Sequence, residues 1–120
     1  MDLQIDKVID YGTHSSERIL LDVIANCDLS YYILSDTTFA SPSHVSNKLR
    51  HMYWFVSKNV KKGDKIILYT KNGNDTETPI NNGLNKTYTF YWDLKNSVWN
   101  NTGDSAILFN LKTWKATKVK

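Results

Sequence analysis

The residues able to carry out chemistry are few and scattered. His14, His44 and His51 are the three histidines. They share no metal-ligand spacing, and a zinc site needs three or four converging ligands. Cys27 is the single cysteine, so it can form neither an internal disulfide nor a cysteine-rich metal site. With no general base at a defined spacing, it reads as a small buried hydrophobe rather than a nucleophile. Glu17 and Glu77 are the only glutamates, so a carboxylate pair for acid–base work would have to draw on aspartates in turns. No serine stands in a Gly-x-Ser-x-Gly elbow, and the glycines form no phosphate-binding loop. These residues point away from an enzyme, and they imply no metal and no cofactor.

The charges carry more information. The net charge is +3, unevenly placed. Residues 1–47 hold seven acids and two bases, whereas residues 48–120 hold thirteen bases and five acids, so the two parts carry −5 and +8. Lys58, Lys61, Lys62 and Lys65 cluster around one turn, with Lys48 and Arg50 on the strand expected before it. Such a cluster suits an anionic partner, nucleic acid in particular. Lysines also keep strand-rich proteins soluble and discourage edge pairing, and the sequence pI of about 8.9 is mild for a dedicated nucleic-acid binder.

The elements that must position these groups read almost entirely as strands. A chain of 120 residues suits one domain, spanning residues 1–120. Alternation or β-branched content marks 3–9, 18–25, 31–34, 48–56, 65–70, 87–92, 105–111 and 113–119 as strands. Segments 10–16 and 36–47 read as loop, and 43–52 offers at most a turn or two of helix. Seven to nine short strands without helical crossovers predict an all-β fold, an antiparallel sandwich or barrel. The stretch Lys71 to Lys86 reads as a sixteen-residue polar loop, either functional or simply mobile. In Lys62-Gly63-Asp64 and Thr102-Gly103-Asp104, Gly-Asp precedes an apolar strand. Glycine there can take positive φ, and the aspartate can accept backbone N–H groups just after it.

Aromatic residues make up 12% of the chain. Tyr88, Phe90 and Trp92 share one face of their strand, opposite Thr87, Thr89 and Tyr91. A core of large rings explains most of them, and a second exposed face would offer a stacking surface. The first residues, Met1 to Asp6, carry two acids where a secretory signal would carry bases. Apolar runs such as Tyr53 to Val56 are far shorter than a membrane span. The expectation is no membrane insertion and, by default, a cytoplasmic location.

With the strands placed, the sequence resembles a lamin tail domain, the immunoglobulin-like module of nuclear lamins that also occurs in many bacterial proteins. The resemblance rests on five motifs in order: Ile5 to Val8; Glu17 to Asn26; Leu29-Ser30-Tyr31-Tyr32-Ile33-Leu34-Ser35-Asp36; Phe55, then Lys62-Gly63-Asp64 and Ile66 to Tyr69; and Trp99 to Leu108 with its Trp, Asn, Gly-Asp and apolar signature. Val56 stands where the family often has proline, and Thr113-Trp114 where it has glycine. The resemblance implies an immunoglobulin-like antiparallel two-sheet sandwich without a catalytic centre. It also implies an adaptor that binds a protein through loops, an edge strand or an aromatic patch. A nucleic-acid-associated module using the basic residues is the alternative, and self-association through an open edge is a further expectation.

Overall fold

Sheet pairing in this chain is set by where alternating apolar residues find a second face to bury against. The structure is a computed structural model, and it describes residues 1–41, 44, 45, 48–99 and 103–120, with backbone alone at 39–41, 44 and 45. Eleven strands lie among the described residues: β1 (Leu3–Ile9), β2 (Arg18–Val23), β3 (Cys27–Asp28), β4 (Tyr32–Ser41), β5 (His44–Val45), β6 (Met52–Trp54), β7 (Asn59–Val60), β8 (Lys65–Tyr69), β9 (Thr76–Ile80), β10 (Asn85–Tyr91) and β11 (Asp104–Asn110). Only two short 3₁₀ turns accompany them, at Leu29–Tyr31 and Asn81–Gly83. The all-β expectation holds. The count exceeds seven to nine because β3, β5 and β7 are two-residue pairings too short to leave a periodic signal.

One sheet has the order β1-β2-β8-β10-β9. In a second, β4 lies between β11 on one side and β6 with β5 on the other. The third is the β3–β7 ribbon. Residues of the two larger sheets meet in one core. Leu3, Ile19, Leu21, Ile66, Leu68 and Phe90 come from the first, and Tyr32 and Leu34 from the second, with Phe55 just beyond β6. Rings fill the seam: Tyr53 lies edge-on to Phe55 at 5.0 Å and to Trp92 at 6.0 Å, and Trp92 meets Trp99 at 5.9 Å. Tyr88 and Phe90 are buried as their strand alternation requires, while Tyr91 on the opposite face stacks on Tyr69 at 5.3 Å.

Several segments differ from expectation, each for a physical reason. The stretch from Lys71 to Lys86 is not a loop throughout, because β9 occupies its middle and pairs antiparallel with β10. As an edge strand β9 is exposed almost along its whole length, so it needs no apolar alternation and gives no strand signal. The turn that returns it, Asn81-Asn82-Gly83, has positive φ at all three residues, the conformation that asparagine and glycine tolerate best. β9 thereby carries the chain back so that β10 runs parallel to β8 without a helix, a departure from the purely antiparallel arrangement expected.

Strand β4 continues through Asp36-Thr37-Thr38, read as loop from their polarity. The Asp36 carboxylate accepts the His51 N–H at 2.7 Å, and Thr37 Oγ1 donates to Lys48 O at 3.2 Å, so neighbouring backbone satisfies side chains that would otherwise favour a turn. Consequently 48–51 is no regular strand, and pairing to β4 is regular only over Met52–Trp54. The expected helical turn over 43–52 is absent among its described residues, Ser43 and 46–47 lying outside them. The expected last strand over 113–119 is irregular chain, since apolar residues occur there only at Trp114, Ala116 and Val119 and offer no alternating face of useful size. Asn100, Asn101 and Thr102 of the tryptophan motif lie outside the described residues.

Candidate interaction surface

The chemistry-bearing residues serve the fold. The Glu17 carboxylate, fully buried at the start of β2, accepts from Thr70 Oγ1 (2.6 Å), Val98 N–H (2.7 Å), Gly12 N–H (2.9 Å) and Trp99 N–H (3.1 Å). It ties the segment of Val98 and Trp99 to the ends of the neighbouring strands β1, β2 and β8. Asp64 is also buried and accepts from Lys61 N–H at 2.9 Å, Asn85 Nδ2 at 2.9 Å and Lys86 N–H at 3.0 Å. Burial alone would raise its pKa, but these hydrogen bonds and the Lys61 charge outweigh it and hold the carboxyl below its ordinary value. The expected Gly-Asp turn is therefore present with a different reach: the carboxylate bonds backward to Lys61 and across to β10, not to the N–H groups just after it. Gly63 takes φ +93°, and a Cβ there would stand 2.9 Å from the Asn85 side-chain amide. At the second pair, Gly103 is not among the residues with positive φ.

His14 Nε2 lies 2.7 Å from Leu94 O, and His51 Nδ1 lies 3.1 Å from Asp36 Oδ1. His44 is described as backbone alone. Cys27 is half-buried, and burial, then the Asp2 and Asp28 carboxylates, push its thiol up to about 11, far from a nucleophile's range. Among the described residues no three His, Cys, Asp or Glu side chains are grouped as metal ligands would be. A cleft of about 660 Å³ lies between the β3–β7 ribbon and β10. Its two carboxylates are already bonded, Asp64 as above and Asp28 to Ser30 N–H and Ser57 Oγ.

The six basic residues do not form one patch. Lys58, Lys61 and Lys62 flank β7, and Lys65 starts β8. Lys48 and Arg50 lie on the irregular segment ahead of β6, where Arg50 N–H donates to Asp36 O, while the Lys58 carbonyl receives Leu29 N–H at the opposite end of β4. Three of the six face carboxylates: Lys58 Nζ to Glu77 Oε2 at 2.8 Å, Lys65 Nζ to Asp22 Oδ1 at 2.6 Å, and Arg50 Nη1 to Asp104 Oδ1 at 3.9 Å. The Glu77 bond raises the Lys58 pKa, as expected of a paired cation. Lys61 and Lys62 stand exposed on the β7–β8 turn.

The edges of the two larger sheets are unequal. On the five-stranded sheet, β1 has a register shift between Ile5 and Lys7, and β9 carries Pro79 and the Glu77 ion pairs with Lys58 and Lys86. A bulge, a proline and charges are the usual guards against strand pairing. By contrast β11 has seven residues in unbroken register with β4, and nothing in Ser105–Asn110 is charged or proline. The phase of its ladder follows from one bond. Leu111 N–H donates to Tyr31 O at 2.7 Å, so odd-numbered residues direct their backbone groups to β4, and Ala106, Leu108 and Asn110 direct theirs outward. No hydrogen bond to those outward groups is made by any described residue. Trp99 Nε1 donates to Ser105 O at 3.2 Å, a carbonyl on the β4 side of the ladder, and so leaves the outward groups uncovered. Composition alone conceals this feature, since an uncharged apolar strand reads as a central one.

No helix is long and apolar enough to cross a membrane among the described residues. No family model matches the sequence, and no curated protein does.

Proposed function

We propose that this chain is a non-catalytic interaction module, an immunoglobulin-like sandwich of the lamin-tail kind, that binds a protein partner by taking up an extended segment alongside β11. The single observation that carries this reading is the open edge of β11: three successive outward-facing residues, Ala106, Leu108 and Asn110, whose N–H and C=O groups have no acceptor or donor among the described residues, on a strand without bulge or proline and without charge after Asp104. An added strand would satisfy those groups, and alternate side chains along it would supply specificity. The order of the five lamin-tail-like motifs supports the same adaptor role. The alternative of a nucleic-acid-associated module draws less support, because Lys58, Lys65 and Arg50 already face carboxylates and the six cations are divided between two places.

Capture from host extract on the immobilised chain, with Asn110→Pro and the double change Lys61→Glu/Lys62→Glu alongside, tests the reading. Asn110 is exposed, and proline there removes an outward N–H without touching the core. The partner is expected to bind the original chain and the lysine variant alike, and to bind Asn110→Pro roughly tenfold more weakly. Equal capture by Asn110→Pro, or loss confined to the lysine variant, would contradict it. A second copy of the chain is the rival occupant, and sedimentation at rising concentration identifies it by a dimer that Asn110→Pro abolishes.

A further inference from the structure

The outer face of the β11–β4–β6 sheet is apolar where a sheet facing water would be polar. Strand registry places Phe109, Ile33 and Trp54 side by side across the three strands, and Ile107, Ser35 and Met52 in the next row. Alternation turns these away from the core, which takes Leu108, Leu34 and Tyr53 instead, and the one polar member, Ser35, is itself buried with its hydroxyl donating to His51 O. Val56 continues the outward line beyond β6. Met52, Trp54 and Val56 are 53%, 48% and 50% exposed. From the last ten residues Trp114, 44% exposed, comes to rest edge-on against Trp54 with ring centroids 4.7 Å apart. The same segment brings Lys112, Lys115, Lys118 and Lys120, all exposed, and residues 105–120 contain no acid.

We infer that this face is a peripheral docking surface for an anionic phospholipid bilayer, with Trp54, Trp114, Met52 and Val56 entering the interface and the four tail lysines held at the headgroups. Charge complementarity selects this occupant: four cations on irregular chain, without fixed partners, suit a diffuse negative surface better than discrete carboxylates of a folded protein. Tryptophan settles at the headgroup level, and aliphatic side chains gain by leaving water there. Single-stranded nucleic acid would need open ring faces for stacking. Met52 and Val56 have none, and the two indoles are turned against each other at 89°. The surface is the outer face of the sheet, whereas the partner strand proposed above uses the edge of β11.

Vesicles of phosphatidylcholine, with and without phosphatidylserine, test this with the full chain. Co-sedimentation is expected with phosphatidylserine at low salt, accompanied by quenching of tryptophan emission by brominated lipid chains. Changing the four tail lysines to alanine is expected to lower binding about fivefold per lysine. Trp114→Ala is expected to reduce both binding and quenching, and its far-ultraviolet circular dichroism and unfolding midpoint show whether the fold persists. The lysine variant, altered only at exposed positions, provides an independent route to the same answer. No association with phosphatidylserine vesicles at low salt would overturn the inference. So would association that leaves every indole unquenched, or tighter binding to a single-stranded oligonucleotide that quenches the same indoles.

Discussion

A carboxylate removed from water is stable only when donors surround it, and the buried carboxylates of Glu17, Asp36 and Asp64 act as fasteners for that reason. Glu17 is the most demanding of them. Replacing it with alanine would leave the N–H groups of Gly12, Val98 and Trp99 without an acceptor, together with Thr70 Oγ1. An orphaned buried donor costs about 1–3 kcal/mol, so Glu17→Ala is expected to lose about 3 kcal/mol or more in urea unfolding. A loss below about 1 kcal/mol would mean that water replaces the carboxylate. Asp64 makes a prediction in pH. Its folded pKa lies below its ordinary value of 3.8, so the folded state binds fewer protons than the unfolded state as pH falls through that range. The stability it confers is therefore complete above the unfolded value and is lost as pH drops through the lower folded one. Asp64→Asn is expected to destabilise at neutral pH and to flatten the acid limb of a stability–pH curve below about pH 4. An unchanged acid limb would place the proton uptake elsewhere. Glu17 and Asp64 stand in recognisable positions, at a strand start and in a Gly-Asp turn. Their partners lie as far as 82 residues away, and no spacing in the sequence encodes that.

At the scale of elements, strands that bury one face were legible, the edge strands β1 and β11 among them, and the exposed edge strand β9 was not. β2, β8 and β10 alternate because each must send apolar side chains into the core, and their positions follow from that pattern. β9 lacks the pattern because it buries nothing, although Asn81-Asn82-Gly83 before the aromatic strand was a hairpin signal. β11 was legible as a strand but not as an edge, since strand order is a property of the whole sheet. Its ladder phase gives a prediction independent of any partner. In the isolated protein the amides of Ala106, Leu108 and Asn110 are expected to exchange with solvent much faster than those of Ile107 and Phe109, which donate to β4. Uniform protection along β11, measured by nuclear magnetic resonance, would show the edge to be covered.

For the molecule as a whole, the uneven charge of the sequence resolves into separate features. Acids of residues 1–47 meet bases of the later chain in pairs such as Asp22 with Lys65, so part of the +8 of residues 48–120 is spent internally. The cations left outward include the Lys61–Lys62 turn and the tail lysines beside the two exposed indoles. The all-β class and the aromatic core followed from composition and alternation. The division of the basic residues between two places did not, because it depends on how far β4 and its neighbours carry the chain between Arg50 and Lys58. The central claim is that β11 accepts a partner strand. Its most direct measurement is residue-resolved amide exchange of the chain alone and with the captured partner bound. The expected result is slowed exchange at Ala106, Leu108 and Asn110, with Lys61 and Lys62 unaltered. Unchanged exchange at those three residues, with protection appearing at the β7–β8 turn instead, would contradict it.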